Sequence, residues 1–380
     1  MSTSKNISSG SVFSFFSGGG FLDLGFETQG FKTVFVNEIH KPFLDAYVHA
    51  RKKLKVKQPV YGFSNTDISN LTNNTSLLKS LLKEEELGNL TGFIGGPPCP
   101  DFSVGGKNRG KSGENGRLSE TYADLICEHK PHFFLFENVK GLYRTKKHRE
   151  FFEYLKLKLG KHYYLNERLI NSIEYGSPQD RDRIILIGFR RDKFSNKPMK
   201  WLNQIYPDRA AFDFNWPGIT KFYPKKNVLP PNDIPLELTV QHWFEKNNVE
   251  QHPNAKHHFV PRAGLEKFKV IGEGDDKKKS YKRLHRWRYS PTAAYGNNEV
   301  HLHPYKARRL SAAEALAIQS LPKEFEFPAN MTLSNMFKCI GNGVPFLAAQ
   351  GLAVSIDSHL KENYASNSKQ SGGSYQSTAA

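Results

Sequence analysis

The first half of the chain alternates short apolar runs with longer polar or amphipathic stretches, and this alternation constrains the fold more than any other feature. Apolar runs of five to nine residues bounded by polar or glycine-rich segments are typical of buried strands. Strands that alternate with helices form a mostly parallel sheet covered on both faces, so the sequence predicts an α/β fold. The expected strands are 12–16, 32–39, 91–96, 132–139 and 182–190, with helical spacing at 41–54 and 119–130.

The alternation is lost from about residue 194, where prolines, aromatic residues and charges follow one another without a period. We expect an inserted domain of short strands and loops there. Helical patterns return at 308–322, which carries a capping box of Ser311 and Glu314, and at 341–360, where a glycine turn leads into an apolar helix. The expected organisation is a discontinuous catalytic domain (1–193 and 331–362), a smaller irregular domain (194–330) and a disordered polar tail (363–380).

A formal net charge of +17 over 380 residues favours a polyanionic partner, most simply nucleic acid. A generally basic, soluble surface is the alternative explanation. The three cysteines lie far apart without zinc-ligand spacing, so neither a metal site nor a disulfide framework is expected. The first residues lack the apolar core of a signal peptide, and no apolar run reaches membrane-spanning length. We therefore expect an intracellular protein that does not enter a membrane.

Three consecutive glycines, 18–20, follow the first expected strand and allow a tight turn that a ligand approaches closely. Glu38 lies twenty residues beyond Gly18 at the end of the second strand, where a carboxylate binds ribose hydroxyls. Asp67, after a third strand, is placed to accept a hydrogen bond from an adenine amino group. These residues favour a nucleoside ligand. A purely structural turn would explain the glycines about as well.

Cys99 lies in "GPPCPDFS", where prolines stiffen the backbone at the end of an apolar strand. Glu137 ends another strand, and a charge there is costly unless it is used or paired. Arg181 and Arg183 enter a further strand with a spacing of two. Because ligands bind at the carboxyl edge of such sheets, a thiol, a carboxyl and two guanidinium groups are expected to converge there. A buried thiol, a capping carboxylate and solvated arginines are the plainer alternatives.

Taken together, these segments resemble the DNA (cytosine-5) methyltransferase family over roughly residues 12–360. The resemblance rests on six segments in the family's order: "FSGGGFLDLGF", "GPPCPDFS", "ENVKGL", "QDRDRIILIGFR", "RRLSAAEALAIQSLP" and "CIGNGVP". The chain departs from the usual family residues at four positions, which are Ser14 (often acidic), Phe21 (usually Gly), Pro100 (commonly Gln) and Gly343 (Ser in many members).

The resemblance implies a Rossmann-like methyltransferase domain with a mixed, mostly parallel sheet, a smaller target-recognition domain, and S-adenosylmethionine as cofactor. A thiolate of Cys99 would add to C6 of cytosine, and a protonated Glu137 would bind N3. Arg183 would bind O2, Arg181 would support the site or bind phosphate, and Asn138 would hold the loop geometry. The implied cofactor contacts are Phe16, Ser17, Gly18, Gly20, Glu38, Ile39, Asp67, Ile68, Pro98, Leu118, Asn342 and Val344.

A cytosine inside duplex DNA hides its C5 atom, so this chemistry requires base flipping. The glycine-rich segment 103–117 is expected to close over the site, with Ser103, Lys107 and Arg109 reaching DNA. A plain loop is the alternative. The basic run 277–289 is expected to read or bind DNA, unless it is only a solvated face. Its candidate contacts are Lys282, Arg283, Arg286 and Arg288.

The sequence therefore predicts a sequence-specific DNA cytosine-5 methyltransferase acting on double-stranded DNA. A stand-alone bacterial enzyme is expected, monomeric, cytoplasmic and associated with the nucleoid, and serving a restriction-modification system beside a cognate endonuclease. An RNA (tRNA) cytosine-5 methyltransferase on the same fold is the main alternative. A nucleotide-dependent oxidoreductase and a catalytically inactive DNA-binding module are weaker hypotheses.

Overall fold

The computed structural model describes residues 10–98, 114–225, 228–261, 264–278, 280–293, 295 and 300–370, with the backbone alone at 114–115 and 365–370. The strands are β1 (Ser11–Phe15), β2 (Lys32–Asn37), β3 (Phe63–Ser64), β4 (Thr91–Gly95), β5 (Phe133–Val139), β6 (Tyr163–Asn171) and β7 (Asp182–Arg190). The helices are α1 (Phe21–Glu27), α2 (Lys41–Lys53), α3 (Ile68–Asn73), α4 (Thr75–Glu86), α5 (Glu114–His129), α6 (Lys146–Gly160), α7 (Val240–Lys246), α8 (Leu265–Val270), α9 (Ala312–Ile318), α10 (Leu333–Asn342) and α11 (Phe346–Gln370).

The seven strands form one sheet in the order β3-β2-β1-β4-β5-β7-β6. All neighbouring pairs are parallel except those made by β7, which runs antiparallel to both β5 and β6. This confirms the predicted α/β fold with a mixed, mostly parallel sheet. Because β7 is reversed, its first residues lie beside the last residues of β5. The carboxyl ends of β1, β2, β4 and β5 and the beginning of β7 therefore share one edge.

Both faces of the sheet are buried, which explains why its central strands are continuous apolar runs. Val12, Ile94 and Phe133 point to one face, where α1 and α11 cover them. Their chain neighbours point to the opposite face and pack against α3, α4, α5 and α6. The two apolar layers hold the strand ends in register and so fix the edge on which the polar side chains lie.

The inserted region differs from its prediction in one respect. Its described residues contain isolated bridges and short helices such as α7 and α8, so the expectation of short strands is wrong for them. The region also shares its core with the sheet domain: Trp243 and Phe244 pack in one apolar cluster with Phe21 and Leu24 of α1. Burial against α1 and α9, and not regular strand pairing, holds this region to the sheet domain.

The chain after residue 330 also corrects two expectations. Gly341 lies in the last turn of α10 and not in a separate turn. Earlier in the chain, the capping box expected at Ser311 and Glu314 is confirmed and begins α9. The predicted disordered tail begins too early, since Asn363 is buried in α11 and accepts a hydrogen bond from Ser195 at 3.0 Å. Residues 371–380 of that tail lie outside the described part of the chain.

One stretch, Leu333–Tyr364, is long and apolar enough to cross a membrane by length and composition alone. It comprises α10 and most of α11, and 67% of its most apolar part is buried inside the protein. Helices that cover a sheet have this composition because they face apolar side chains on several sides.

Candidate active site at the carboxyl edge of the sheet

Glu137 and Arg183 form an ion pair at the carboxyl edge of the sheet. Glu137 lies near the end of β5 and Arg183 at the beginning of β7, where the two strands pair. The Arg183 Nε atom is 2.6 Å from Glu137 Oε1, and each side chain is 10% exposed. Glu137 is therefore a nearly buried carboxylate at the end of an apolar strand, and Arg183 is its ionic partner. The structure thus brings together the carboxyl and one of the two guanidinium groups that the sequence places at this edge.

The backbone that leads to Cys99 packs directly against Glu137. A Cβ atom at Gly96 would lie 2.5 Å from Glu137 Oε2, so a larger residue there would displace the carboxylate. The Asn138 side-chain amide donates to the carbonyl of Pro97 at 3.4 Å, which agrees with a role in holding this loop. Cys99 itself lies outside the described residues, but Pro98 immediately before it is described. The segment that carries the candidate nucleophile thus leaves β4 beside the ion pair.

Arg181 lies just before β7 and is 1% exposed. Its Nη1 donates to the carbonyl of Ala293 at 3.0 Å and its Nη2 to that of Gly341 at 2.6 Å. Burial lowers the pKa of this guanidinium well below its usual range, and the neighbouring Arg183 lowers it further. A phosphate contact, one of the two roles expected for Arg181, is wrong for a side chain in this position. The other role, support of the site, agrees with its contacts.

The glycine turn after β1 places Glu38 beside Gly18. Glu38 Oε2 accepts a hydrogen bond from the Gly18 N–H at 2.8 Å, and Oε1 accepts one from the His40 N–H at 2.7 Å. Burial raises the pKa of this carboxyl, while the two backbone donors oppose that effect. Phe16 enters the turn with a positive φ of 53°. The turn and the carboxylate therefore form one unit, as their spacing of twenty residues predicts.

The same turn has features that fit a bound nucleoside. The hydroxyl of Ser17 is buried and has no hydrogen-bond partner among the described residues, so it is available to a ligand. A Cβ atom at Gly18 would meet nothing within 4 Å, which leaves space directly over the backbone. Ile39 follows Glu38 and is 58% exposed, an apolar surface for a base. Asp67 caps α3 by accepting from the Ser69 N–H at 2.8 Å and lies next to β3.

The remaining expected cofactor contacts differ in exposure. Ile68 and Val344 are buried, Pro98 and Leu118 are half-buried, and Asn342 is exposed at the end of α10. Leu118 also packs on the apolar layer beneath α5. Ile68, Pro98 and Val344 come shortly after β3, β4 and α10, whereas Leu118 lies in α5. Their contact with a cofactor stays a prediction.

Two departures from the family pattern meet in space. A Cβ atom at Gly343 would lie 2.1 Å from the Phe21 ring, so the ring occupies the space of a larger residue at position 343. Phe21 is 2% exposed and packs edge-on against Phe325 at 5.1 Å. Phenylalanine in place of one glycine and glycine in place of one serine therefore compensate for each other in volume.

Two of the expected DNA contacts are structural. Arg283 is 0% exposed and donates to the carbonyls of Ile271 and Lys306 at 2.8 and 3.2 Å, and also to those of Phe268 and His303. Arg286 is 2% exposed and bonds the Glu273 carboxylate through Nε and Nη2, at 2.8 and 2.9 Å. The expectation that these two side chains contact DNA is therefore wrong, since a buried, fully bonded guanidinium cannot reach a base or a phosphate.

The other members of that group remain candidates. Lys282 is half-buried, and Arg288 pairs with Asp276 at 2.8 Å with its side chain 16% exposed. Ser103, Lys107 and Arg109 lie outside the described residues. The cysteines not proposed for catalysis are both free; Cys339 is buried and Cys127 is half-buried, and burial raises the pKa of each thiol. Within the described ranges, no group of three or more His, Cys, Asp or Glu residues is arranged to hold a metal ion.

Sequence reasoning missed two features of this region. One is β6, which completes the sheet beyond β7. The other is Arg51, whose guanidinium lies beneath the glycine turn and donates to the Gly20 carbonyl at 2.7 Å. Arg51 stands in the basic run "ARKKL". From the sequence alone, this run cannot be distinguished from a solvent-exposed helix end. Its only signal is the α2 periodicity, which places Tyr47 and Arg51 on the buried face.

Residues 10–358 match the family model described as C-5 cytosine-specific DNA methylase, and the chain belongs to this family. It is a DNA cytosine-5 methyltransferase, and enzymes of this family use S-adenosylmethionine as their methyl donor. Three features of the glycine turn fit the nucleoside part of that donor. They are the Ser17 hydroxyl, which has no hydrogen-bond partner among the described residues, the open space over Gly18 and the carboxylate of Glu38.

The relatives extend over nearly the whole chain. It is 59% identical over 359 residues to the Type II methyltransferase M.NmeDI of Neisseria meningitidis serogroup C, covering 93% of this chain and 84% of that protein. It is 28% identical to the Type II methyltransferase M.MthTI of Methanothermobacter thermautotrophicus, covering 92% of this chain and 98% of the relative.

Solved structures support the fold. One is described as a DNA modification methyltransferase encoded within a prophage of E. coli, with a TM-score of 0.62 and 21% identity over 92% of this chain and 99% of the other. The Dnmt2 methyltransferase of S. pombe has a TM-score of 0.58 and 13% identity over 93% of this chain and 99% of its own. At these identities the likeness shows a shared fold only.

Proposed function

We propose that this chain is the modification enzyme of a restriction-modification system and methylates C5 of a flipped-out cytosine at a specific duplex DNA sequence. The observation that carries the proposal is the Glu137–Arg183 pair beside Gly96, Pro97 and Pro98, the segment that leads directly to Cys99. The 59% identity to a Type II methyltransferase supports the restriction-modification role. A cognate endonuclease would then recognise the same sequence.

The proposed chemistry assigns one task to each side chain. The Cys99 thiolate forms a bond to C6, and electron density moves toward C5. Glu137 hydrogen-bonds N3 and supplies the proton that neutralises the ring, while Arg183 binds O2. Bound S-adenosylmethionine supplies an electrophilic methyl group on sulfonium sulfur. Once C5 carries the methyl group, its proton is lost to a base, the C6–S bond breaks and frees the Cys99 thiolate, and the N3 proton returns to Glu137.

We assign target recognition to residues 194–330, with Lys282 and Arg288 as candidate DNA contacts. Ser103, Lys107 and Arg109 follow Cys99 in the chain and would bind DNA around the flipped base. The net charge of +17 supports a polyanionic substrate. A monomer in the bacterial cytoplasm, bound to the nucleoid through DNA, agrees with these assignments.

Methyl transfer in vitro tests the substrate, and covalent trapping tests the mechanism. The purified protein is expected to methylate duplex genomic DNA but not tRNA, and bisulfite sequencing of DNA from expressing cells identifies the target sequence. A duplex with 5-fluorocytosine at that position should form a covalent adduct, because no C5 proton can leave. The matched control is Cys99→Ser, which should form none. Methylation of tRNA alone would overturn the substrate, and an adduct with Cys99→Ser would overturn the nucleophile.

A further inference from the structure

A cluster of buried charged and polar side chains lies beneath the glycine turn, and the chemistry proposed above does not use it. The cluster comes from β1, α1 and α2 and surrounds the guanidinium of Arg51, which is 0% exposed. Buried charges are costly unless they are paired and hydrogen-bonded. Its members, named here the Arg51 cluster, are Ser14, Asp23, Glu27, Tyr47 and Arg51.

Three contacts fix the Arg51 guanidinium. Its Nη2 donates to the Gly20 carbonyl at 2.7 Å, its Nε lies 3.0 Å from Glu27 Oε2, and its Cζ lies 4.1 Å from the centre of the Tyr47 ring. Gly20 has a φ of 76°, and a Cβ atom there would lie 2.4 Å from the Tyr47 ring. Position 20 therefore requires glycine, both for its backbone conformation and for the close approach of α2.

The glycine turn is thus held at both ends. Glu38 accepts from the Gly18 N–H on the side of the proposed cofactor, and Arg51 donates to the Gly20 carbonyl from the interior. Within the turn, the Gly20 N–H donates to the Ser17 carbonyl at 2.8 Å. The Gly20 carbonyl also accepts from the Leu24 N–H at 3.0 Å, and the Ser17 N–H donates to the Asn37 carbonyl at 3.3 Å. Loss of the Arg51 contact would leave these backbone hydrogen bonds but remove the charged side-chain donor that holds the turn from the interior.

We propose that Arg51 is a positioning residue for S-adenosylmethionine binding. From inside the protein it holds the Gly20 carbonyl, and it thereby fixes the turn on which Ser17, Gly18 and Glu38 meet the cofactor. Arg51 does not touch the cofactor, because its side chain is fully buried. The inference rests on the cofactor contacts proposed for this turn.

The neighbouring carboxyl groups determine which variants are informative. Burial raises the pKa of Asp23 to about 6, and Arg51 opposes that effect; Ser14 Oγ donates to this carboxyl at 2.8 Å. Removal of Arg51 alone would leave Glu27 and Asp23 without their cation and destabilise the fold. Replacement of the pair by apolar residues, Arg51→Met with Glu27→Leu, avoids an unpaired charge. This double variant separates folding from positioning.

The test is calorimetric titration of the full chain with S-adenosylhomocysteine, beside DNA binding measured by fluorescence anisotropy. For the double variant Arg51→Met/Glu27→Leu we expect about tenfold or more loss of affinity for S-adenosylhomocysteine, the effect of losing a charge-assisted hydrogen bond. DNA affinity should change less than about twofold. In turnover, KM for S-adenosylmethionine should rise more than kcat falls. Arg51→Lys keeps the positive charge but loses the planar set of guanidinium donors, so its affinity for S-adenosylhomocysteine should lie between those of the unsubstituted chain and the double variant.

Unchanged affinity of the folded double variant for S-adenosylhomocysteine would overturn the proposal, as would equal losses for S-adenosylhomocysteine and DNA. Glu38→Ala separates this result from failure of the cofactor site itself. If Glu38→Ala weakens S-adenosylhomocysteine binding and the Arg51 variants do not, only the positioning role of Arg51 is wrong. If neither changes it, the proposed cofactor site is wrong as well.

Discussion

Two arginine–carboxylate pairs in this molecule differ in how completely they are bonded. The Arg286–Glu273 pair in the inserted region has side chains only 2% and 5% exposed, and the Arg286 backbone N–H also donates to Glu273. Its third guanidinium nitrogen, Nη1, donates to the Lys225 carbonyl at 2.6 Å. The Arg183–Glu137 pair at the sheet edge is 10% exposed on both sides. The Arg183 side chain has an ion pair with that carboxylate and a hydrogen bond to the Asp182 carbonyl.

This difference separates a pair that holds loops together from a pair that a substrate can enter. A saturated pair offers no donor or acceptor to a ligand, and breaking it costs stability because the remaining charge is buried. An incompletely bonded pair at a sheet edge keeps hydrogen-bonding capacity in a place where ligands bind. We therefore expect substitutions at the two pairs to act on different measurements: catalysis at the edge and stability in the insert.

The largest effect is expected for Glu137→Gln. Glutamine keeps the shape and a hydrogen-bond donor but cannot supply the proton that neutralises the cytosine ring, so methyl transfer should fall about 10²- to 10⁴-fold. The measurement is single-turnover methylation of duplex DNA, with thermal unfolding to show that the fold is retained. Glu167→Gln is the matched control, since Glu167 is an ion-paired carboxylate on the edge strand β6. Equal activities of the two variants would contradict the role of Glu137.

The second effect concerns the saturated pair. Arg286→Met leaves the Glu273 carboxylate buried without its cation and should lower the free energy of unfolding by about 3–5 kcal/mol. The measurement is denaturant unfolding, with activity normalised to folded protein, which should stay close to the unsubstituted chain. Arg286→Met/Glu273→Leu should recover much of the stability. A stable Arg286→Met protein that has lost DNA binding would contradict the inference that the Arg286–Glu273 pair acts on stability and not on substrate binding.

The strand ends of the site could be predicted from the sequence because their signal is local. An apolar run that ends in a charge, as at Glu137, indicates both a buried strand and a polar group at its end. The turn at Gly18 and the carboxylate at Glu38 follow from a fixed spacing along a βαβ unit. These features depend on residues close together in the chain, so they can be predicted without knowing which distant residues pack against them.

The errors arise where distant partners decide the outcome. Arg283 and Arg286 stand in a basic run whose sequence does not show whether its side chains face DNA or the interior. Their partners are carbonyls and a carboxylate 12 to 61 residues away. Arg51 was missed for the same reason. β6 was missed because its residues are mostly half-buried, which weakens the alternation of apolar and polar residues in an edge strand.

The smallest expected effect belongs to Lys282, the half-buried neighbour of Arg283 in the same basic run. Lys282→Ala should weaken DNA binding about two- to fivefold and lower the dependence of log affinity on log salt by about one, because one phosphate contact is lost. Its unfolding free energy should change by less than about 0.5 kcal/mol. Arg283→Ala is the matched contrast: its guanidinium caps backbone carbonyls, so it should lower stability and leave the salt slope of the folded protein unchanged. An unchanged salt slope for Lys282→Ala would remove this run from the DNA interface and leave it as a structural element of the insert.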